Sequence, residues 1–193
     1  MKIYGDMISG NCLKVKYTAD LLGIPYEWVE ADVLKGDSRT PDYLAKNPQG
    51  QVPMIELDDG RTLAQSNAII RYLARGSRLL PDDAFAAAKV DEWLFWEQYS
   101  HEPYIAVCRF HHKYLGKPFN ELDGWRVERG NAALDLMEDA LEGKDWLTDS
   151  GFTLADIALL AYTQFAHEGG FSLEGRANVK AWVDRCHAEI GIS

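Results

Sequence analysis

The spacing of apolar residues changes character once along the chain. Up to about residue 78, short alternating runs are interleaved with helical stretches, and beyond it only helical spacing remains. Met1 to Tyr4 reads as a short strand. Ser9-Gly-Asn-Cys12 then opens a segment in which Val15, Ala19 and Leu22 follow helical spacing as far as Gly23. Tyr26 to Glu30 alternates as a half-buried strand, and Thr40-Pro41 starts a short helix through Lys46. Val52 to Leu57, Asp58-Asp-Gly60 and Arg61 to Ala64 together read as a hairpin, after which Ser66 caps a helix containing Ile69, Ile70, Tyr72 and Leu73. The predicted order is βαβαββα. The remainder shows helices near Phe85–His112, Asp123–Leu141, Leu154–Phe165 and Val179–Ala188, with Pro103 expected to kink the first.

Charge sharpens this division. Residues 1–78 hold ten basic and ten acidic side chains, the rest ten basic and twenty acidic, and five of the six tryptophans lie in the second piece. Gly76 offers a helix stop and Pro81 a rigid connector, so the predicted organisation is an α/β domain over 1–78, a linker over 79–84 and an all-α domain over 85–193. The net charge of −10 repels phosphate backbones and argues against nucleic acid as a partner. Apolar stretches such as Ile157 to Tyr162 are far short of the ~20 residues that span a bilayer, and the N-terminus lacks an export pattern. Cys12, Cys108 and Cys186 show neither disulfide-framework nor zinc spacing, which implies a reducing cytoplasm and no metal.

Asn47-Pro-Gln-Gly-Gln-Val-Pro53, a hairpin, and then Gln65-Ser66 at a helix start form a pattern that resembles the glutathione-binding domain of cytosolic glutathione S-transferases. The helical second piece resembles the family's C-terminal domain in length and order. The resemblance implies a thioredoxin-like domain followed by a helical bundle, with a cis peptide at Pro53 presenting the Val52 backbone to the cysteinyl part of glutathione. It also implies that Gln65 and Ser66 surround the γ-glutamyl group, where helix N–H groups favour a carboxylate. Arg39 and Gln51 fall where the family grips the glycine end. Ser38 stands where some relatives carry histidine, and Lys35 is a nearby cation to which no role is assigned.

Ser9-Gly-Asn-Cys-Leu-Lys-Val15 resembles the bacterial, serine-type (theta/phi-like) members, in which a serine before the first helix hydrogen-bonds the glutathione sulfur. A free thiol has a pKa near ~8.5, so a hydroxyl donor and a helix N-terminus both help to make the reactive thiolate. Asn11 either supplies a second polar contact to sulfur or merely opens the helix. Cys12 matches the cysteine of cysteine-type members, where it would form a mixed disulfide with glutathione, or it is a small buried apolar residue. For the electrophile, the family pattern draws on Met7, Ile8, Trp96, Tyr99, His101, Tyr104 and Phe110. His111 and His112 are adjacent and point to different helix faces, so they make no metal pair. Phe152-Thr-Leu-Ala-Asp156 reads as a capping box that serves folding.

These readings imply a cytoplasmic, homodimeric glutathione transferase of serine type, joining glutathione as co-substrate to small, largely apolar electrophiles without a metal. Two other readings stand beside it: thiol–disulfide exchange through Cys12, and a non-catalytic binding or interaction module, since fold alone does not fix function.

Overall fold

The computed structural model describes residues 1–192. The chain divides into two compact units, Met1–Leu80 and the part from Pro81 onward.

The first unit runs β1 (Lys2–Gly5), α1 (Gly10–Leu21), β2 (Glu27–Glu30), α2 (Pro41–Lys46), β3 (Met54–Glu56), β4 (Thr62–Ala64) and α3 (Ser66–Leu73). Its four strands lie in the order β2-β1-β3-β4. β1 is parallel to β2 and antiparallel to β3, and β3 is antiparallel to β4. Alternation along β1 decides which helix covers which face. Ile3 stands opposite Ile55, and both are fully buried. Tyr4 stands opposite Met54 on the other face, within the cluster of Tyr43, Ala31 and Val52. The face of Ile3 and Gly5 receives α1, because a Cβ on Gly5 would lie 3.3 Å from Cys12 Cβ and 2.6 Å from the Trp28 ring. Thr40 caps α2, as its sequence context predicts, by accepting from the Tyr43 N–H.

The predicted cap of α3 needs correction. Gln65, not Ser66, occupies the N-cap position, with φ 72 and ψ 110, and Ser66 is the first helical residue. A positive φ outside glycine is uncommon and strained, and it turns the chain sharply into α3. Within the segment read as a linker, Leu79 is fully buried and its N–H donates to Ser77 Oγ at 3.2 Å.

The second unit holds α4 (Ala84–Trp96), α5 (Glu102–Arg109), α6 (Gly124–Ala140), α7 (Leu154–Thr163) and α8 (Ala177–Ile190). The single helix expected near Phe85–His112 is interrupted by two wider, π-type turns, Glu97–His101 and Phe110–Tyr114. The first accommodates Pro103. By ending one helix and starting another at Glu102, it puts the proline in a first turn, where a missing N–H is tolerated. Every residue of α7 is buried, as an all-round apolar helix requires at the centre of a bundle. Its capping box is formed as predicted: Thr153 accepts from the first turn, and Asp156 accepts the Thr153 N–H at 2.9 Å. No described helix is long and apolar enough to cross a membrane.

Candidate functional site

The turn between β1 and α1 is organised by Asp6, a residue whose role the sequence pattern left unread. Its buried carboxylate accepts the Ile8 N–H (3.0 Å) on one oxygen and the Val33 N–H (2.9 Å) on the other. Its carbonyl accepts the Ser9 N–H at 3.0 Å. Ser9 is thereby fixed at the N-cap of α1, half-buried, with a hydroxyl that makes no capping bond to the helix. In the unliganded chain the hydroxyl's sulfur neighbour is Cys12, where it and the Asp6 N–H (3.4 Å) both ease ionisation. Burial outweighs them: Cys12 is fully enclosed and its thiol is pushed up to about 12.

Asn11 lies in the first turn of α1, and its Oδ1 accepts the Ser66 hydroxyl at 3.0 Å. One turn further, the fully buried Lys14 donates to Asn67 Oδ1 at 3.4 Å. This ladder of polar contacts holds the N-terminal ends of α1 and α3 together. Both ends carry the partial positive charge of a helix N-terminus, and the main-chain ladder of α3 begins with Ile69 N–H to Gln65 C=O, 2.9 Å.

Past Gln65 the contacts continue. Its side-chain N–H donates to Gln49 Oε1 at 2.8 Å, and the Gln49 carbonyl accepts Arg39 Nη1 at 3.2 Å. The guanidinium lies over Gly50, where a Cβ would come within 2.7 Å of Nη1; Gly50 has φ +60 as well. Two buried side chains hold the Gln51 carbonyl: Tyr43 donates from its hydroxyl (2.7 Å) and Asn47 from its amide (2.8 Å). The turn leads into Val52, half-buried, and a cis Val52-Pro53 peptide.

The structure bonds Asn11 to Ser66, and through Gln49 links the neighbouring Gln65 to Arg39, with Ser9 at the head of the helix that carries Asn11 and with Gln51, Val52 and Pro53 on the turn that carries Gln49. Gln49, Asn47, Tyr43 and Asp6 are participants that the residue-by-residue reading did not select. Asn47 was legible in principle, because an asparagine before proline favours a side chain folded back on its own turn.

The residues expected at the electrophile fall in different units. Met7, 47% exposed, and half-buried Ile8 adjoin Ser9 in the first unit. In the second, His101 is fully buried in the turn after α4, its Nε2 2.9 Å from Thr163 Oγ1, with the Trp96 ring 6.1 Å away. Tyr104 is buried and accepts from Arg129 at 3.0 Å, whereas Tyr99 is 81% exposed and Phe110 is at the surface. Among the described residues, no group of three or more His, Cys, Asp or Glu is placed to hold a metal ion.

What the arrangement can do follows from its charges. Two positive helix ends and a guanidinium suit an extended molecule with carboxylates at both ends, and the Ser9 hydroxyl suits a sulfur between them. Cys12 suits exchange chemistry poorly. With its thiol pushed up to about 12 and the side chain fully enclosed, Cys12 stays a neutral thiol at pH 8. Native protein at pH 8 should therefore leave Cys12 unlabelled by a disulfide reagent over minutes and yield no glutathione adduct in mass spectrometry, with full labelling in denaturant. Rapid native labelling at Cys12 would refute its assignment as an inert packing residue.

Sequence comparison gives a match at residues 8–75 to the family described as "Glutathione S-transferase, N-terminal domain". Residues 120–189 match "Glutathione S-transferase, C-terminal domain". The chain is similar to a glutathione S-transferase of Arabidopsis thaliana, at 32% identity over 94% of this chain and 89% of the relative. It is also similar to glutathione S-transferase theta-1 of Bos taurus, at 30% identity over 99% and 84%. Among solved structures, a glutathione S-transferase from Pseudomonas fluorescens superposes with a TM-score of 0.93 at 47% identity, covering 97% of this chain and 94% of that one.

Proposed function

The chain belongs to the glutathione S-transferase family, and from that premise we propose a serine-type glutathione transferase in which Ser9 stabilises the thiolate of bound glutathione. The fold is the thioredoxin-like domain with an all-helical second domain, and the activity is glutathione transfer. The bound thiol gives its proton to water, and the thiolate electron pair forms a C–S bond at an electrophilic carbon while the bond from that carbon to its leaving group breaks, the leaving group departing with the electron pair. The observation that carries the assignment is the line of contacts from the first turn of α1 through Ser66, Gln65 and Gln49 to Arg39. Along it, Arg39 pairs the glycine carboxylate and Gln51 lines the same end. The Val52 backbone before Pro53 meets the cysteinyl residue, and Gln65 with Ser66 receives the γ-glutamyl group. Asn11 acts by holding Ser66. Ser9 changes partner: a neutral buried thiol accepts a hydrogen bond weakly, whereas a thiolate accepts one strongly, so the hydroxyl gains by moving from Cys12 to glutathione.

For a small, largely apolar electrophile the proposed contacts are, in the first unit by itself, Met7 and Ile8, and in the second by itself, Trp96, Tyr99, His101 and Tyr104. The proposed assembly is a homodimer. The second unit leaves Phe85 and Phe95 75% and 77% exposed, apolar rings that a second copy of the chain would cover. Sedimentation should give twice the 21.7 kDa chain mass, and a monomer at micromolar concentration would remove the dimer. Three free cysteines fit a cytoplasmic setting. Nothing favours exchange chemistry at Cys12 or a non-catalytic module.

Titration calorimetry with glutathione tests the reading. Binding should release heat and raise the melting temperature, with about 2.7 kcal/mol of added stability at a hundredfold excess over Kd. No heat and no shift at millimolar glutathione would overturn it.

A further inference from the structure

Gln49 sits where the two ends of the proposed glutathione site meet. Its N–H donates to Asn47 Oδ1 at 3.3 Å and its carbonyl accepts Arg39 Nη1 at 3.2 Å, so its backbone is held within the turn. Only its side chain reaches outward, and that side chain accepts the Gln65 amide N–H at 2.8 Å. Gln65 is itself held by the backbone at φ 72, the one described non-glycine residue with positive φ, which restricts where its side chain can emerge. An amide has a donating and an accepting end. With the Gln65 nitrogen turned to Gln49, its Oε1 is the end left for a ligand.

We propose that Gln49 is a positioning residue that fixes the orientation of the Gln65 amide, so that its oxygen accepts the α-ammonium of the γ-glutamyl group. The proposal rests on the glutathione transferase reading and adds the part of the co-substrate that this contact selects. Without Gln49 the Gln65 amide rotates freely, and half of its orientations turn an N–H toward the ammonium. Both side chains are exposed in the unliganded chain, where water competes for such a bond. A bound peptide lying over them excludes that water and strengthens the contact when it matters.

The experiment measures two ligands by calorimetry: glutathione, and the analogue in which hydrogen replaces the α-amino group, glutaryl-cysteinylglycine. Gln49→Ala should weaken glutathione about five- to tenfold, the scale of one hydrogen bond to a charged group, and weaken the analogue less than twofold. The kcat at saturating glutathione and the pKa of the bound thiol should not move, because Ser9 is untouched. Gln49→Glu keeps an acceptor in the same place and should restore the preference for glutathione over the analogue. Equal weakening of both ligands by Gln49→Ala would mean general damage to the turn and would overturn the proposal, as would no weakening of either. A wild-type chain that binds neither ligand would instead defeat the glutathione reading on which the proposal stands.

Discussion

Ser9→Ala should turn an efficient enzyme into one that binds glutathione but scarcely ionises it. The hydroxyl is fixed at the head of α1 by the Ser9 N–H to Asp6 bond and is not used to cap the helix, so its removal leaves the local fold intact. A bound thiol that loses this donor should titrate near ~8.5, where only a few per cent is thiolate at neutral pH. If the hydroxyl by itself lowers that value by ~2 units, turnover at pH 7 should fall some ~20-fold, and each unit regained corresponds to ~1.4 kcal/mol. The pH-rate profile separates this from a structural lesion. The acid limb of kcat should move upward in pH in the variant and the rate should recover at high pH, while the KM for glutathione changes little. An unshifted profile with wild-type turnover would leave Ser9 without a role and reopen the choice of group acting on sulfur.

The largest effect on stability is expected at Asp156, which takes no part in chemistry. Its carboxylate is fully buried in the second unit and accepts four hydrogen bonds. One oxygen takes the Leu147 N–H (3.1 Å) and the Trp182 indole N–H (2.9 Å); the other takes the Thr153 N–H (2.9 Å) and hydroxyl (3.3 Å). Burial pushes the carboxyl above its usual range, and these donors pull the other way. Asp156→Ala strands buried donors from three segments at once, and each stranded group costs ~1–3 kcal/mol. A loss of about 4 kcal/mol, or ~10 °C in melting temperature for a chain of this size, is expected in a thermal scan. Asp156→Asn keeps one acceptor and should lose about half as much. An Asp156→Ala protein melting within two degrees of wild type would show that the network is not what anchors α7.

Wherever the determining interaction is local, the sequence was enough. The Thr40 cap, the Thr153 and Asp156 capping box and the hairpin turn at Asp58 to Gly60 act within four residues, so residue type and spacing carry nearly all of their free energy. The βαβαββα order and the helical second half follow from the same short-range periodicity. The motifs around Pro53 and Gln65-Ser66 carried the family resemblance, because they reside in the residues themselves.

Other features depended on parts of the chain meeting across long separations. Ser66 reads as a helix cap, yet Gln65 takes that position at positive φ, and the Ser66 hydroxyl turns instead to Asn11, 55 residues away in sequence. No local pattern could reveal that Tyr43 holds the Gln51 carbonyl, or that Gln49 links Arg39 to Gln65, since each bond joins groups that only the closed turn brings within reach. Cys12 shows the division most clearly. Its identity allows either a nucleophile or a packing residue, and the choice rests on desolvation under β1 and α1, a property of the surrounding atoms and not of the cysteine.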